Sequence, residues 1–80
     1  MCQAEILKKD LLKNLGSNIR KFRAIQGLSQ EELAFRIDSA RNFIGCIERA
    51  EKSPTIFTLY RIARALNISL SELVKDLDNI

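Results

Sequence analysis

Eighty residues make one domain, and a chain of that size buries only roughly 60% of the surface its unfolded form exposes, so its stability is modest without a partner. A hydrophobic share of 46% with 29% charged residues excludes a disordered tail, and one proline and three glycines leave room for long helices, which predicts an all-helical domain. The net charge is +3, and two cysteines with no histidine cannot by themselves form a metal site or a disulfide framework.

From about Ala4 to Gln26, Leu12, Leu15, Ile19 and Phe22 recur at steps of three and four, with Lys13, Asn18, Arg20 and Lys21 between them. This is one face of an amphipathic helix, and Ile6, Leu7 and Leu11 extend the stripe. Gly16 weakens the middle by roughly 1 kcal/mol relative to alanine, leaving a single bent helix or two pieces. Gly27 is the C-terminal stop. Ser29 and Glu32 then form a capping box, so a second helix begins at Gln30 and stops near Ile37, where Asp38 and Ser39 favour a turn. A third helix is expected from about Ala40 to Arg49, with Ile44 and Ile47 inward and Arg41, Asn42, Gly45 and Cys46 on or near the exposed face. Leu33, Ile37, Ile44 and Ile47 close one small core, and Ala34 suits a close helix crossing. The stretch LSQEELAFRIDSARNFIGCIE therefore has the spacing of two short helices joined by a tight turn, an arrangement that can lay a helix in the major groove of DNA.

Ala50 to Pro54 reads as a loop. Thr55 caps a fourth helix carrying Ile56, Leu59, Ile62, Ala63 and Leu66, and Asn67 is its left-handed terminator. Ser69 and Glu72 form a second capping box for a short fifth helix that carries Leu70, Leu73, Val74 and Leu77 to the C-terminus, with Asp76 and Asp78 placed unfavourably for the helix dipole.

Charge is unevenly distributed. Residues 1–64 hold twelve Lys or Arg against seven Asp or Glu, whereas residues 65–80 hold one against three. A positive body suits a polyanion, and the acidic, apolar C-terminal segment suits self-association. Cys2 and Cys46 read as reduced thiols of a cytoplasmic protein, and no apolar run approaches the ~20 residues that span a bilayer. An enzyme is not expected: there is no histidine base, no activated cysteine and no glycine-rich phosphate loop. No cofactor is implied.

From Leu15 to Val74 the chain resembles the lambda-repressor-like, or XRE, family of helix-turn-helix DNA-binding domains. LGSNIRKFRAIQGLSQEELA is similar to that family's first two helices, IGCIERAEKSPT to its recognition helix and following loop, and LYRIARALNISLSELV to its last two helices. FIGCIER and the short length are also similar to restriction-modification controller proteins and phage repressors. The resemblance implies a compact five-helix fold with the helix-turn-helix at helices 2 and 3: a helical extension over 1–14, a four-helix core over 15–66, and a C-terminal helix over 67–80. It implies a cytoplasmic homodimer that binds double-stranded DNA and controls transcription through a palindromic operator.

Roles follow at matching positions. Gln30 hydrogen-bonds a phosphate, helped by backbone amides of the second helix. Arg41 and Asn42, at the start of the recognition helix, face base edges, Arg suiting guanine O6 and N7 and Asn suiting adenine. Phe43 is either an apolar contact to DNA or a core filler, and Cys46 is either a half-buried small side chain or a base contact. Arg49, Lys52 and Ser53 are candidates for phosphate, and Arg23 with Glu48 matches an ion pair joining the first helix to the recognition helix. Leu70, Leu73, Val74, Leu77 and Ile80 exceed what packing on the body needs, and some of them are the expected dimer surface. Lys8, Lys9 and Lys13 are a solvated helix face or an arm near the phosphates.

The chain departs from the family pattern in the turn. Asp38 replaces glycine, Ser39 an apolar residue, Ala40 the hydroxyl cap, and Ala50 the glycine after the recognition helix. The cap is then expected at Asp38 or Ser39. These departures also support a rival reading, an antitoxin or protein-interaction module that kept the fold and lost base reading.

Overall fold

The computed structural model describes residues 3–79, with side chains from residue 7 onward. The thiol of Cys2, the apolar side chain of Ile6 and the C-terminal Ile80 lie outside the described residues. The described chain is five helices without strands: α1 (Gln3–Gln26), α2 (Gln30–Arg36), α3 (Phe43–Glu48), α4 (Ile56–Ala65) and α5 (Leu70–Leu73).

Of the two alternatives for the N-terminal stripe, the structure has one unbroken helix. Gly16 does not break α1 because its place is a helix crossing: a Cβ there would sit 2.5 Å from the Glu48 carbonyl oxygen. The backbones of α1 and α3 approach each other where only a hydrogen fits. At its other end α1 stops at Gly27, whose φ of 69° is the left-handed conformation that lets the Leu28 N–H turn back to the Arg23 carbonyl at 3.0 Å.

The capping box of α2 is fully formed. Ser29 Oγ accepts from the Glu32 N–H at 3.0 Å, and the Ser29 N–H donates to Glu32 Oε1 at 2.9 Å. The Ser29 backbone N–H, with help from the Ser29 hydroxyl, holds the Glu32 carboxyl below its ordinary pKa. The helix ends at Arg36, and Asp38 adopts a φ of 55° in the turn, the geometry for which glycine is the usual residue.

The third helix begins later than the sequence predicts. It starts at Phe43, not near Ala40, and its N-cap is Asn42, whose side chain makes no capping bond. The cause lies in Ser39. Its hydroxyl and its N–H both donate to the Ala34 carbonyl, at 3.2 and 3.0 Å, closing the C-terminus of α2 instead of opening α3. Ala40 has no group to cap with, and the Phe43 N–H bonds back to the Ala40 carbonyl at 3.0 Å as a turn. Helical geometry ends at Glu48, and Ala50 follows with a φ of 61°.

Thr55 caps α4 by accepting from the Thr58 N–H at 3.1 Å, and Asn67 ends it at a φ of 60°. The expected fifth helix is cut short: Leu73 is its last residue and Val74 its cap. Val74 and Leu77 belong to successive turns, with Asp76 at a φ of 61°. Two asparagines of α1 explain the stop. Asn18 Nδ2 donates to the Leu73 and Lys75 carbonyls at 2.8 and 3.0 Å, and Asn14 Nδ2 to the Leu77 carbonyl at 2.8 Å. Carbonyls turned toward α1 no longer point along a helix axis.

These elements enclose one core of Leu15, Ile19, Leu28, Leu33, Ala34, Ile37, Ile44, Ile47, Ile62, Ala63, Leu66 and Leu73. Truncating any of its large, fully buried members to alanine costs about 2–5 kcal/mol in such settings. The short α3 is held against α1 and α2 by Ile44 and Ile47, both without exposed surface, which fixes the orientation of its remaining face.

Candidate nucleic-acid interface

The position of α3 is set by a buried carboxylate. Glu48 is 4% exposed, and Arg23 of α1 grips it with two bonds, Nε to Oε2 at 2.8 Å and Nη2 to Oε1 at 3.1 Å. A third donor comes from α2: Gln30 Nε2 reaches Glu48 Oε1 at 3.0 Å. Arg20 adds its charge at 3.5 Å. Burial pushes the Glu48 pKa up, but the hydrogen bonds from Arg23 and Gln30 and the charges of Arg23 and Arg20 outweigh it and leave the carboxyl below its ordinary value. One charged group thus ties α1, α2 and α3 together, and Arg23 also donates to the Leu28 carbonyl at 2.9 Å.

Around this anchor lies an exposed groove lined by Gln30, Glu31, Arg41, Asn42, Gly45 and Arg49. It brings together residues from the start of α2, the turn before α3 and the residue after α3. Arg41 and Asn42 are both exposed, but they precede the helix instead of forming its first turn. Gly45 is buried, contrary to its expected exposed place. A Cβ there would meet Arg49 Nη1 at 2.9 Å and Gln30 Oε1 at 3.1 Å, so the glycine lets both side chains lie across α3.

Gln30 has a role that sequence spacing did not reveal. One N–H of its amide goes to Glu48, and the amide group has two. Phe43 is half-buried and packs on the core, while the Lys52 ammonium lies over its ring, 5.8 Å from the centroid. The loop after α3 is thereby joined to the first residue of the helix. Ser53 is exposed beside Lys52. Cys46 is half-buried, with Arg49 Nη2 3.8 Å from its sulfur.

Glu51, not singled out from the sequence, pairs with Arg49 on this surface at 3.0 Å. Both side chains are more than half exposed, and exposed pairs contribute little to stability. The signal in the sequence was two opposite charges two residues apart; their convergence depends on the left-handed turn at Ala50.

The residues expected at a dimer surface differ in how far a single chain buries them. Leu73 has no exposed surface and belongs to the core, and Leu70 and Leu77 pack partly against that core. Only half-buried Val74 lies outside this packing. The large exposed apolar groups are elsewhere: Leu7, Leu11 and Ile25 on α1, Phe35 at 85% on α2, and Ile56, Phe57 at 65% and Tyr60 on α4. On α4, Phe57, Tyr60, Arg61 and Arg64 share one stripe, with Arg61 stacked over Phe57 and Arg64 over Tyr60, each 5.9 Å from the ring centroid. Among the described residues, no cluster could hold a metal ion and no helix is long and apolar enough to cross a membrane.

A helix-turn-helix family model matches residues 19–73, and the chain belongs to that family, within its XRE-type branch. It is a transcriptional regulator with a helix-turn-helix DNA-binding fold. The control protein C.SmaI of Serratia marcescens is 40% identical over 74 residues, which cover 92% of this chain and 88% of that one. An uncharacterized HTH-type transcriptional regulator of Sinorhizobium fredii, y4dJ, is 39% identical over 69 residues, covering 86% and 90%. Among solved structures, the restriction-modification controller protein C.AhdI of Aeromonas hydrophila superimposes with a TM-score of 0.75 at 35% identity, covering 78% of this chain and 94% of that one.

Proposed function

We propose that the chain is a sequence-specific regulator that binds duplex DNA as a homodimer on a palindromic operator, with α3 and the turn before it in the major groove. The observation that carries this reading is the groove in which Gln30, Arg41, Asn42 and Arg49 converge across Gly45. Arg41 suits bidentate bonding to guanine and Asn42 to adenine. Phe43 borders them as an apolar contact, and Cys46 lies one turn beyond Asn42. Gln30, through its second N–H, and Arg49, Lys52 and Ser53 hold backbone phosphates, which fix register without reading sequence. The protein acts in the cytoplasm, without catalysis or a cofactor, and its output is repression or controller-type regulation of a restriction-modification system, a reading supported by the likeness to C.SmaI and C.AhdI.

For self-association we propose the α4 stripe of Phe57 and Tyr60 in place of the buried Leu73. One six-residue helix reaches only a few base pairs, and a second copy supplies the other half-site. Phe57 and Tyr60 are the aromatic anchors such a contact needs.

Selection of bound duplexes from a random-sequence pool tests the reading. The expected result is an enriched inverted repeat with half-sites about one helical turn apart, and loss of preference at one position in Arg41→Ala, where a bidentate contact is worth about 1–3 kcal/mol. Absence of any duplex binding would overturn it in favour of a protein-interaction module.

A further inference from the structure

The N-terminal half of α1 is not explained by the reading surface. The family model matches from residue 19, whereas α1 begins at Gln3, so several turns of helix precede the residues the model matches. These turns place Lys8, Lys9 and Leu12 opposite the loop after α3, forming a groove shared with Glu51, Lys52 and Ser53. Lys8, Lys9 and Lys52 are all exposed, and among the described residues none of them forms an ion pair. The carboxylate in the groove, Glu51, has its charge matched by Arg49 at 3.0 Å. The cleft thus holds three ammonium groups and a serine hydroxyl beside the paired Glu51 carboxylate, with Leu12 and Ala50 completing its lining. It is continuous with the reading surface, because Lys52 also covers the ring of Phe43.

We propose that Lys8 and Lys9, facing Lys52 and Ser53 across this cleft, form a second phosphate clamp that takes the duplex backbone beside the loop and extends the DNA contact beyond the helix-turn-helix. The proposal rests on the duplex-binding reading above. Ammonium groups on flexible stems act as point charges toward phosphate, and they do so without regard to base sequence. The clamp therefore raises affinity for all duplexes and leaves the base preference of Arg41 and Asn42 untouched.

Fluorescence anisotropy of the full chain with a labelled random-sequence duplex of about 30 base pairs, titrated between about 50 and 200 mM salt, tests the clamp, because sequence-independent affinity falls with log salt by ~0.9 per phosphate neutralised. Lys8→Gln/Lys9→Gln is expected to make that slope shallower by about 2 and to weaken binding severalfold at the lower salt, as loss of two phosphate contacts requires. Its melting temperature should match that of the unaltered chain, since both side chains are exposed. Lys52→Gln provides the comparison. A slope unchanged in the double variant but shallower in Lys52→Gln would overturn the clamp and leave the DNA reading standing. An unaltered chain that binds no duplex would overturn both, and a changed base preference in the double variant would overturn the clamp's backbone character.

Discussion

Glu48 decides where α3 and the proposed reading surface sit, and its protonation state has a measurable consequence. Its folded pKa lies below the ordinary value, so the stability it contributes is fully present above the unfolded carboxyl's pKa and is lost as pH falls through the folded one. Thermal unfolding should therefore show a loss beginning at the ordinary carboxylate range and continuing below it. Arg23→Ala leaves the buried carboxylate without its bidentate partner and should cost about 3 kcal/mol at neutral pH, with a shallower acid dependence; equal acid profiles would dissociate the two groups. Glu51 offers a test in the opposite direction. Glu51→Gln removes a negative charge from the phosphate side and releases Arg49, so duplex affinity should rise by about 3- to 10-fold at low salt, with base preference unchanged. Constant affinity would remove Arg49 from the phosphate contacts. The family pattern named Arg23 and Glu48 as partners, and the structure has them in contact. It did not name the bond from Gln30 or the approach of Glu51, because both join residues whose meeting depends on how α2 packs on α3 and how the chain turns at Ala50.

At the scale of elements, local signals were legible wherever a side chain caps its own helix. Ser29 with Glu32, Thr55 and Ser69 with Glu72 mark their helices without help from the rest of the fold. Sequence reading erred where a polar side chain serves a neighbouring element. Ser39 closes α2 instead of opening α3, and Asn14 and Asn18 draw the carbonyls at and after the end of α5 toward α1. Glycine carries the same lesson: Gly16 looked like a weak point in α1 and is the contact that lets α3 approach. Gly16→Ala forces a methyl group onto the Glu48 backbone and should destabilise by about 2 kcal/mol or more, despite alanine's better helix propensity, as overpacking in a rigid crossing does. A variant as stable as the parent would mean the two helices separate freely. The opposite sign is expected at Ala50, where an L-residue occupies φ 61°. Ala50→Gly relieves left-handed strain of roughly 1–2 kcal/mol and gives back part of it in unfolded-chain entropy, so chemical denaturation should show a net gain.

For the whole molecule, the proposed division of surface between core, DNA and a second copy makes predictions about assembly. The C-terminal segment is docked on α1 through Asn14 and Asn18, and Leu73 is fully buried. What the apolar periodicity of the last helix could not reveal was that this leucine packs inward, while the aromatics of α4 remain outside. Exposed Phe57 and Tyr60 are large for a molecule with so few aromatic residues, and burying such rings against a twofold copy supplies the centre of an interface. Phe57→Asp should shift sedimentation equilibrium from dimer to monomer without lowering the melting point of the monomer, because the ring is 65% exposed. Val74→Asp should leave the dimer intact. Operator binding should follow the same division: steep in protein concentration for the parent and Val74→Asp, shallow and weaker for Phe57→Asp, with each half-site still recognised by the same bases. Dissociation by Val74→Asp with Phe57→Asp unaffected would return the interface to the C-terminal segment and leave the α4 aromatics to a different partner.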